Sequence, residues 1–227
     1  MSEFTSPEPV HHDCEYHATA PWYSLGTLSA ETTDLWLVFH GYGQLAERFI
    51  QKFGFLVSER TAIVAPQGPD RFYFDHFRKV GASWTTRNQR DTHLQNQQAY
   101  LDTMWAQVTA AISGKGVRIH SLAFSQGVSV QTRWLSSRKI EVEQMIFWAG
   151  GYPHDLEEGA WAHQSDEKKV RCIVGESDEF LTPERMEEER TKILSHHPQA
   201  EFVMFEGKHE MPASMMREML GLEGIGE

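Results

Sequence analysis

The sequence contains little cysteine. Its 227 residues include two cysteines, Cys14 and Cys172, which are too few for a framework of disulfides. Cys172 lies in an apolar run that predicts a buried strand, so a reducing compartment is the simpler expectation. Residues 1–14 are polar and lack the basic start and apolar stretch of a signal peptide. We therefore expect a cytoplasmic protein, with residues 1–15 as a flexible N-terminal tail.

Long apolar runs and an excess of positive charge are also missing. No segment approaches the roughly 18 apolar residues of a membrane span, so no stable membrane insertion is expected. The chain has 21 basic and 32 acidic residues, a net charge of −11. This balance argues against nucleic acid as a partner, because phosphates are bound by basic side chains. No His-Glu-x-x-His pattern occurs, and we expect neither a metal nor another cofactor.

Short apolar runs alternate with longer amphipathic segments along the chain. Six runs are typical of strands buried on both faces: 34–39, 61–65, 117–124, 142–148, 170–174 and 202–205. Helices are predicted from the N-cap Asp91 to Gly114, at 128–135, from Thr182-Pro183 onward, and at about 212–220. The alternation predicts one α/β domain over residues 1–227, with a mostly parallel central sheet and helices on both faces. Ligands of such sheets bind at the carboxyl ends of the strands.

The run 117–124 ends abruptly at Ser125, which has Ala123 two positions before it and Gly127 two positions after it. A strand that turns into a helix within one or two residues strains the residue at the turn, and small neighbours make that turn sterically feasible. The pattern is a nucleophile elbow, G-x-S-x-G, with alanine in the first position. Because so short a pattern also arises by chance, a serine that caps the helix 128–135 is the alternative.

Three more strand ends carry candidate functional residues. The strand 34–39 leads into a glycine-containing loop at 40–43, whose backbone N–H groups are able to face a ligand. Asp178 follows the strand 170–174, and His209 follows the strand 202–205. An ordinary turn, a helix cap and a surface histidine are the alternatives. The chain order Ser125, Asp178, His209 is nevertheless the order expected for a fold with a nucleophile elbow.

These motifs together resemble an α/β-hydrolase of the carboxylesterase/phospholipase family, which includes acyl-protein thioesterases and lysophospholipases. The similarity spans residues 34–220 and rests on six segments: His40-Gly41-Tyr42-Gly43, Ala-Pro-Gln-Gly-Pro at 65–69, Phe124-Ser125-Gln126-Gly127, Gly-Gly at 150–151, Gly175 to Asp178, and Gly207-Lys208-His209. The resemblance implies Ser125 as the nucleophile, His209 as the general base and Asp178 as the residue that orients the base. It implies an oxyanion hole formed by the backbone N–H groups of Tyr42 and Gln126.

The same resemblance implies a serine hydrolase that cleaves carboxylic esters or thioesters of small to medium acyl chains through an acyl-enzyme. Its partner is then a small-molecule ester or thioester. A non-catalytic, hydrolase-like module that binds a ligand or a protein is the main alternative, supported by Ala123, where the family usually has glycine. A peptidase or a dienelactone-type hydrolase is a second alternative, although the latter usually has cysteine at the elbow. The sequence leaves a homodimer open.

The segment 66–90 is rich in aromatic residues. Its length and its position after a strand predict a loop over the active site, with Phe74, Phe77 and Trp84 as an apolar wall for the acyl chain. Core packing is the alternative for some of these rings. Three arginines of the segment would equally suit an anionic leaving group: Arg78, Arg87 and Arg90.

Overall fold

Seven strands form a single mixed sheet in the computed structural model, which describes residues 8–114, 116–165 and 168–220. The strands of the described residues are β1 (Trp22–Leu25), β2 (Asp34–Phe39), β3 (Thr61–Pro66), β4 (Asp70–Phe74), β5 (Lys79–Ser83), β6 (Arg118–Phe124), β7 (Gln144–Trp148), β8 (Lys169–Gly175) and β9 (Glu201–Phe205). The helices are α1 (Ala46–Phe49), continued by a 3-10 segment Ile50–Leu56, α2 (Arg90–Ala111), α3 (Gln126–Ser137), α4 (Pro183–His196) and α5 (Ala213–Met219). The sheet order is β1-β3-β2-β6-β7-β8-β9, and all neighbours except the antiparallel β1 and β3 are parallel.

The central strands are buried on both faces because helices cover each side of the sheet. Successive residues of a strand point to opposite faces, so Leu35, Leu37 and Phe39 of β2 enter a core that also contains residues of α2, α3 and α4. Trp36 and Val38 enter the opposite core, with residues of α1 and α5. The predicted fold class, a mostly parallel sheet between helices, is confirmed.

The parallel register brings the carboxyl ends of the strands to one edge of the sheet. Phe39 of β2 lies beside Ala123 of β6, Phe124 lies beside Trp148 of β7, and Gly175 of β8 lies beside Phe205 of β9. The loops that follow β2, β6, β8 and β9 therefore start at the same level. This edge is where the sequence places the candidate residues.

The segment 66–90, predicted as a loop, contains a two-stranded antiparallel hairpin formed by β4 and β5. Its turn includes Asp75, His76 and Phe77, which all have positive φ angles of 51 to 65°. Hairpin turns of this kind usually carry glycine or asparagine, and the sequence offers neither, so the usual signal is missing. The hairpin packs on the loop after β2, where the Gly43 N–H donates to the Ala82 carbonyl at 2.8 Å.

The start of the long helix differs from its predicted position, and the predicted N-terminal tail lies partly outside the described residues. The long helix begins at Arg90 with Gln89 at the N-cap, so Asp91 lies in the first turn and is not the cap. Residues 1–7 of the predicted N-terminal tail lie outside the described residues, and residues 8–15 are exposed and form neither helix nor strand. Among the described residues, every helix is too short or too polar to cross a membrane.

Trp84 lies in the core and not on an exposed wall. Its side chain is 0% exposed, its indole N–H donates to the His40 carbonyl at 2.8 Å, and its ring stacks on the His40 imidazole at 4.8 Å. Phe77 is 82% exposed on the hairpin turn. The expectation that Trp84 contacts the acyl chain is therefore corrected, because an indole closed off from solvent on every side has no face left for a ligand.

We predict that Trp84→Ala lowers the free energy of unfolding by about 3–5 kcal/mol, because it leaves a cavity and removes a buried hydrogen bond. Phe77→Ala, an aromatic deletion from the same segment, should change it by less than about 0.5 kcal/mol. Chemical denaturation monitored by far-UV circular dichroism, which follows the backbone, measures the free energy of unfolding of both variants. Equal effects of the two substitutions would contradict the core assignment of Trp84.

Candidate active site

Ser125 occupies the sharp turn between β6 and α3. Its backbone has φ +53° and ψ −120°, a conformation that residues other than glycine rarely adopt. The Ser125 N–H donates to the Trp148 carbonyl of β7 at 2.9 Å, which fixes the turn to the neighbouring strand. The structure therefore has the strained turn that the elbow pattern predicts, with the serine side chain at the carboxyl edge of the sheet.

Small residues on both sides of Ser125 allow this turn. A Cβ on Gly127 would come within 2.5 Å of the Phe39 carbonyl oxygen, so any larger residue would push α3 away from β2. Ala123 is fully buried in β6 beside Phe39. The methyl group of Ala123 is accommodated there without preventing the elbow conformation.

Ser125, His209 and Asp178 form a continuous chain of hydrogen bonds. His209 Nε2 lies 2.9 Å from Ser125 Oγ, and His209 Nδ1 lies 2.8 Å from Asp178 Oδ2. Because an ionised carboxylate only accepts, Nδ1 carries the ring proton and Nε2 is left to accept from the serine hydroxyl. The structure thus brings together the three residues that the sequence singles out.

Asp178, and not Glu176, is the carboxylate in contact with the histidine. The Asp178 side chain is closed off from solvent, and its second oxygen accepts the N–H groups of Phe180 and Leu181 at 2.8 and 3.1 Å. Glu176 is exposed in the same turn. Three hydrogen bonds hold the Asp178 carboxylate in one orientation, so it is able to fix the imidazole ring of His209.

The loop after β2 lies against Ser125 and contains an N–H group without an acceptor among the described residues. The Gly41 N–H donates to Gln44 Oε1 at 2.8 Å and the Gly43 N–H donates to Ala82, whereas the N–H of Tyr42 between them has no acceptor among the described residues. A Cβ on Gly41 would meet the Ser125 Cβ at 3.1 Å, so the loop lies directly against the elbow. The N–H of Gln126, at the start of α3, is likewise without an acceptor in the described chain.

Buried polar side chains hold that loop in place. The fully buried His40 accepts the Gly68 N–H through Nε2 at 2.9 Å, and its Nδ1 lies 2.8 Å from the Gly41 carbonyl. Gln67 Nε2 approaches the same imidazole at 3.2 Å, and Gln67 Oε1 accepts the Ala46 N–H at 2.9 Å. Burial lowers the pKa of His40 to about 4, since a charged imidazole would lose its solvation there. A neutral His40 is what the acceptor role of Nε2 requires.

A cavity of about 300 Å³ opens beside the reactive pair. It is lined by Ser125, Gln126, Ser129, Ala149, Gly150, Gly151, Phe180, Leu181, Arg185 and His209. Phe180 also packs against the His209 ring at 4.7 Å. Phe74 and Phe77, predicted as acyl-binding residues, do not line this cavity; Phe74 borders a separate cavity of about 170 Å³ beside the loop after β2.

Sequence reasoning missed several residues of the site. Gln44 and Gln67 hold the loop after β2, and both lie within or directly after glycine-containing segments of the sequence. The resemblance implies a role for the Gln126 N–H, and the Gln126 side chain also binds the Trp84 N–H and the Thr85 carbonyl, each at 3.0 Å. Arg185 enters the cavity from α4, and no motif points to it. A glutamine next to a functional turn is the signal that could have indicated the first three.

The sequence matches no family model and no curated protein. Solved structures similar to this chain include acyl-protein thioesterase 2 of Zea mays, with TM-score 0.65, 10% identity and coverage of 88% of this chain and 96% of that one. A phospholipase/carboxylesterase of Dyadobacter fermentans has TM-score 0.63, 18% identity and coverage of 93% and 100%. A carboxylesterase of Mesorhizobium loti has TM-score 0.66, 14% identity and coverage of 88% and 94%. These neighbours are α/β-hydrolases, and the chain has the α/β-hydrolase fold.

We predict that His40 makes stability depend on pH between about 6.5 and 4. As pH falls through this window, the unfolded chain protonates the histidine at its ordinary pKa of about 6.5 while the folded protein does not, so the free energy of unfolding falls by up to about 1.4 kcal/mol per pH unit. His40→Gln should reduce the slope of this dependence without removing it, because burial also lowers the pKa of His197, to about 3. Denaturation at several pH values measures the slope. His76→Gln, which removes an exposed histidine, should leave it in place. Parallel curves for wild type and His40→Gln would contradict a neutral, buried His40.

Proposed function

We propose that this protein is a serine hydrolase of the carboxylesterase/phospholipase type. It cleaves carboxylic esters or thioesters of small to medium acyl chains through Ser125, His209 and Asp178. The observation that carries the proposal is the hydrogen-bonded chain from Asp178 through His209 to a serine in a strained elbow. A serine hydroxyl is a weak nucleophile at neutral pH, and an adjacent base held by a carboxylate is the arrangement that activates it.

In the proposed reaction, Ser125 Oγ attacks the carbonyl carbon while His209 Nε2 takes the hydroxyl proton. The negative charge on the carbonyl oxygen is stabilised by the N–H groups of Tyr42 and Gln126, which have no acceptor among the described residues. His209 then protonates the departing alkoxide or thiolate, and the acyl group remains on Ser125. Water, deprotonated by the same imidazole, then attacks the acyl carbon. The bond from this carbon to Ser125 Oγ breaks, the imidazolium returns its proton to Ser125 Oγ, and the acid leaves.

The size and lining of the cavity support the acyl range in this proposal. A volume of about 300 Å³ is at the lower end of small-molecule sites, which suits a short acyl chain better than a long one. Ala149, Phe180 and Leu181 supply its apolar surface. In this proposal these three residues, and not the aromatic residues of the segment 66–90, form the apolar wall for the acyl chain.

We predict that Ser125→Ala abolishes covalent labelling by a fluorophosphonate probe and lowers ester hydrolysis by on the order of 10⁴-fold or more, because no other group replaces the nucleophile. Ser195→Ala, on the exposed side of α4, should retain both. Labelling followed by peptide mass spectrometry, together with rates on butyryl esters, checks this. Ordinary turnover by the Ser125→Ala protein would refute the mechanism, and a wild type without labelling or turnover would favour a non-catalytic binding module.

We predict that Asp178→Asn lowers kcat by on the order of 10³ to 10⁴, because an amide at this position favours the wrong tautomer of His209. Glu176→Gln, in the same turn but exposed, should change kcat by less than about threefold. Steady-state kinetics on one ester, with circular dichroism to verify folding, compares the two. The reverse ranking would assign the orienting role to Glu176.

A further inference from the structure

Arg185 brings a permanent positive charge into the cavity beside Ser125. It lies in the first turn of α4, and its Nη1 donates to the Phe180 carbonyl at 2.9 Å. The ring of Phe180 in turn contacts His209. The guanidinium is therefore attached to the same turn that carries Asp178, and it borders the space in which a substrate would meet the nucleophile.

No carboxylate neutralises this guanidinium in the described part of the chain. Arg90 and Arg133 both form ion pairs with Asp155, at 2.6 and 2.9 Å, whereas no acidic oxygen among the described residues lies within 4 Å of the Arg185 side chain. The ten described residues that line the cavity include no aspartate or glutamate. Asp178 does not line the cavity, and its fully buried carboxylate binds His209 Nδ1 at 2.8 Å.

The Arg185 guanidinium has more N–H groups than it has acceptors among the described residues. A guanidinium has five N–H groups in a planar fork that matches a carboxylate or a phosphate. Among the described residues, the Phe180 carbonyl is the one acceptor that the Arg185 guanidinium binds. The N-terminal end of α3, at Gln126 and Ser129, borders the same cavity and adds a positive partial charge. This local positive field contrasts with a net charge of −11 for the chain, so it is not part of a generally basic surface.

We propose that Arg185 is the binding site for an anionic group of the substrate, a carboxylate or a phosphate. The substrate is then an ester or thioester that carries a negative charge within a few bonds of the scissile carbonyl. This inference rests on the proposed function and narrows its substrate class. It also replaces the expectation that arginines of the segment 66–90 meet an anionic leaving group: Arg90 is paired with Asp155, and neither Arg78 nor Arg87 lines the cavity.

Two matched pairs of esters test the proposal and separate the two anions. Monoethyl succinate and ethyl succinamate differ by a carboxylate against an amide on the acyl side, and butanoyl glycerol phosphate and butanoyl glycerol differ by a phosphate on the leaving side. We expect Arg185→Gln to lower kcat/KM for the anionic member of one pair by about five- to tenfold, and for its neutral partner by less than about twofold. The pair that responds shows whether Arg185 binds a carboxylate on the acyl side or a phosphate on the leaving side.

Arg190→Gln is the matched control, because it removes the same charge from the same helix, where Arg190 lies over the Phe202 ring at 4.5 Å and does not line the cavity. It should leave both ratios of anionic to neutral kcat/KM at the wild-type value. If Arg185→Gln also leaves both ratios unchanged, or if Arg190→Gln lowers them equally, the proposal is overturned.

A binding experiment separates failure of this inference from failure of the proposed function. Ligand-observed NMR with the Ser125→Ala protein measures binding of succinate and of inorganic phosphate without any turnover. We expect at least one of them to bind at millimolar concentration, and the additional Arg185→Gln substitution to abolish that binding. Absence of binding, or binding that survives Arg185→Gln, overturns the anion site whether or not the wild type hydrolyses esters.

Discussion

The strained backbone of Ser125 is the constraint around which the site is arranged. A residue other than glycine at φ +53° and ψ −120° costs on the order of 1–3 kcal/mol, and it persists because its surroundings leave no alternative. The Ser125 N–H is bound to Trp148 of the next strand, and Gly127 lets α3 start in contact with β2. The serine hydroxyl is thereby held above the sheet edge, where groups from other strands reach it.

The parallel sheet explains how groups distant in sequence meet at that hydroxyl. Ser125, Asp178 and His209 follow β6, β8 and β9, whose carboxyl ends lie at one edge. Contacts between the loops complete the alignment: the Ser177 N–H donates to the Gly207 carbonyl at 2.9 Å, and the Trp148 indole N–H donates to the Glu210 carbonyl at 2.8 Å. The loops after β8 and β9 are therefore joined to each other and to β7 before any substrate arrives.

Neutral polar groups shape one side of the site, and charge shapes the other. On the side of the loop after β2, a neutral His40 and the amide of Gln67 satisfy backbone groups, and burial excludes a charge there. On the side of α4, the Arg185 guanidinium has no acidic partner within the described ranges and lies next to apolar lining residues. An uncharged loop suits a carbonyl oxygen whose charge develops only during reaction, whereas a fixed cation suits a group that is already anionic when it binds.

Local sequence patterns predicted the fold class and Ser125, because buried parallel strands appear as apolar runs and a nucleophile elbow needs small residues at fixed spacing. For Asp178 and His209 the patterns gave only positions at strand ends, and the resemblance to the carboxylesterase/phospholipase family assigned their roles. The same patterns did not predict the hairpin of β4 and β5, whose turn lacks glycine, or the burial of Trp84. A tryptophan in the sequence is equally compatible with the core and with the wall of a ligand site. The packing of Trp84 on His40 in the structure shows that it belongs to the core. Arg185 and Ser125 line the same cavity because α4 starts just after the turn of Asp178. That proximity joins residues 60 positions apart, and it depends on the register of strands that no local pattern encodes.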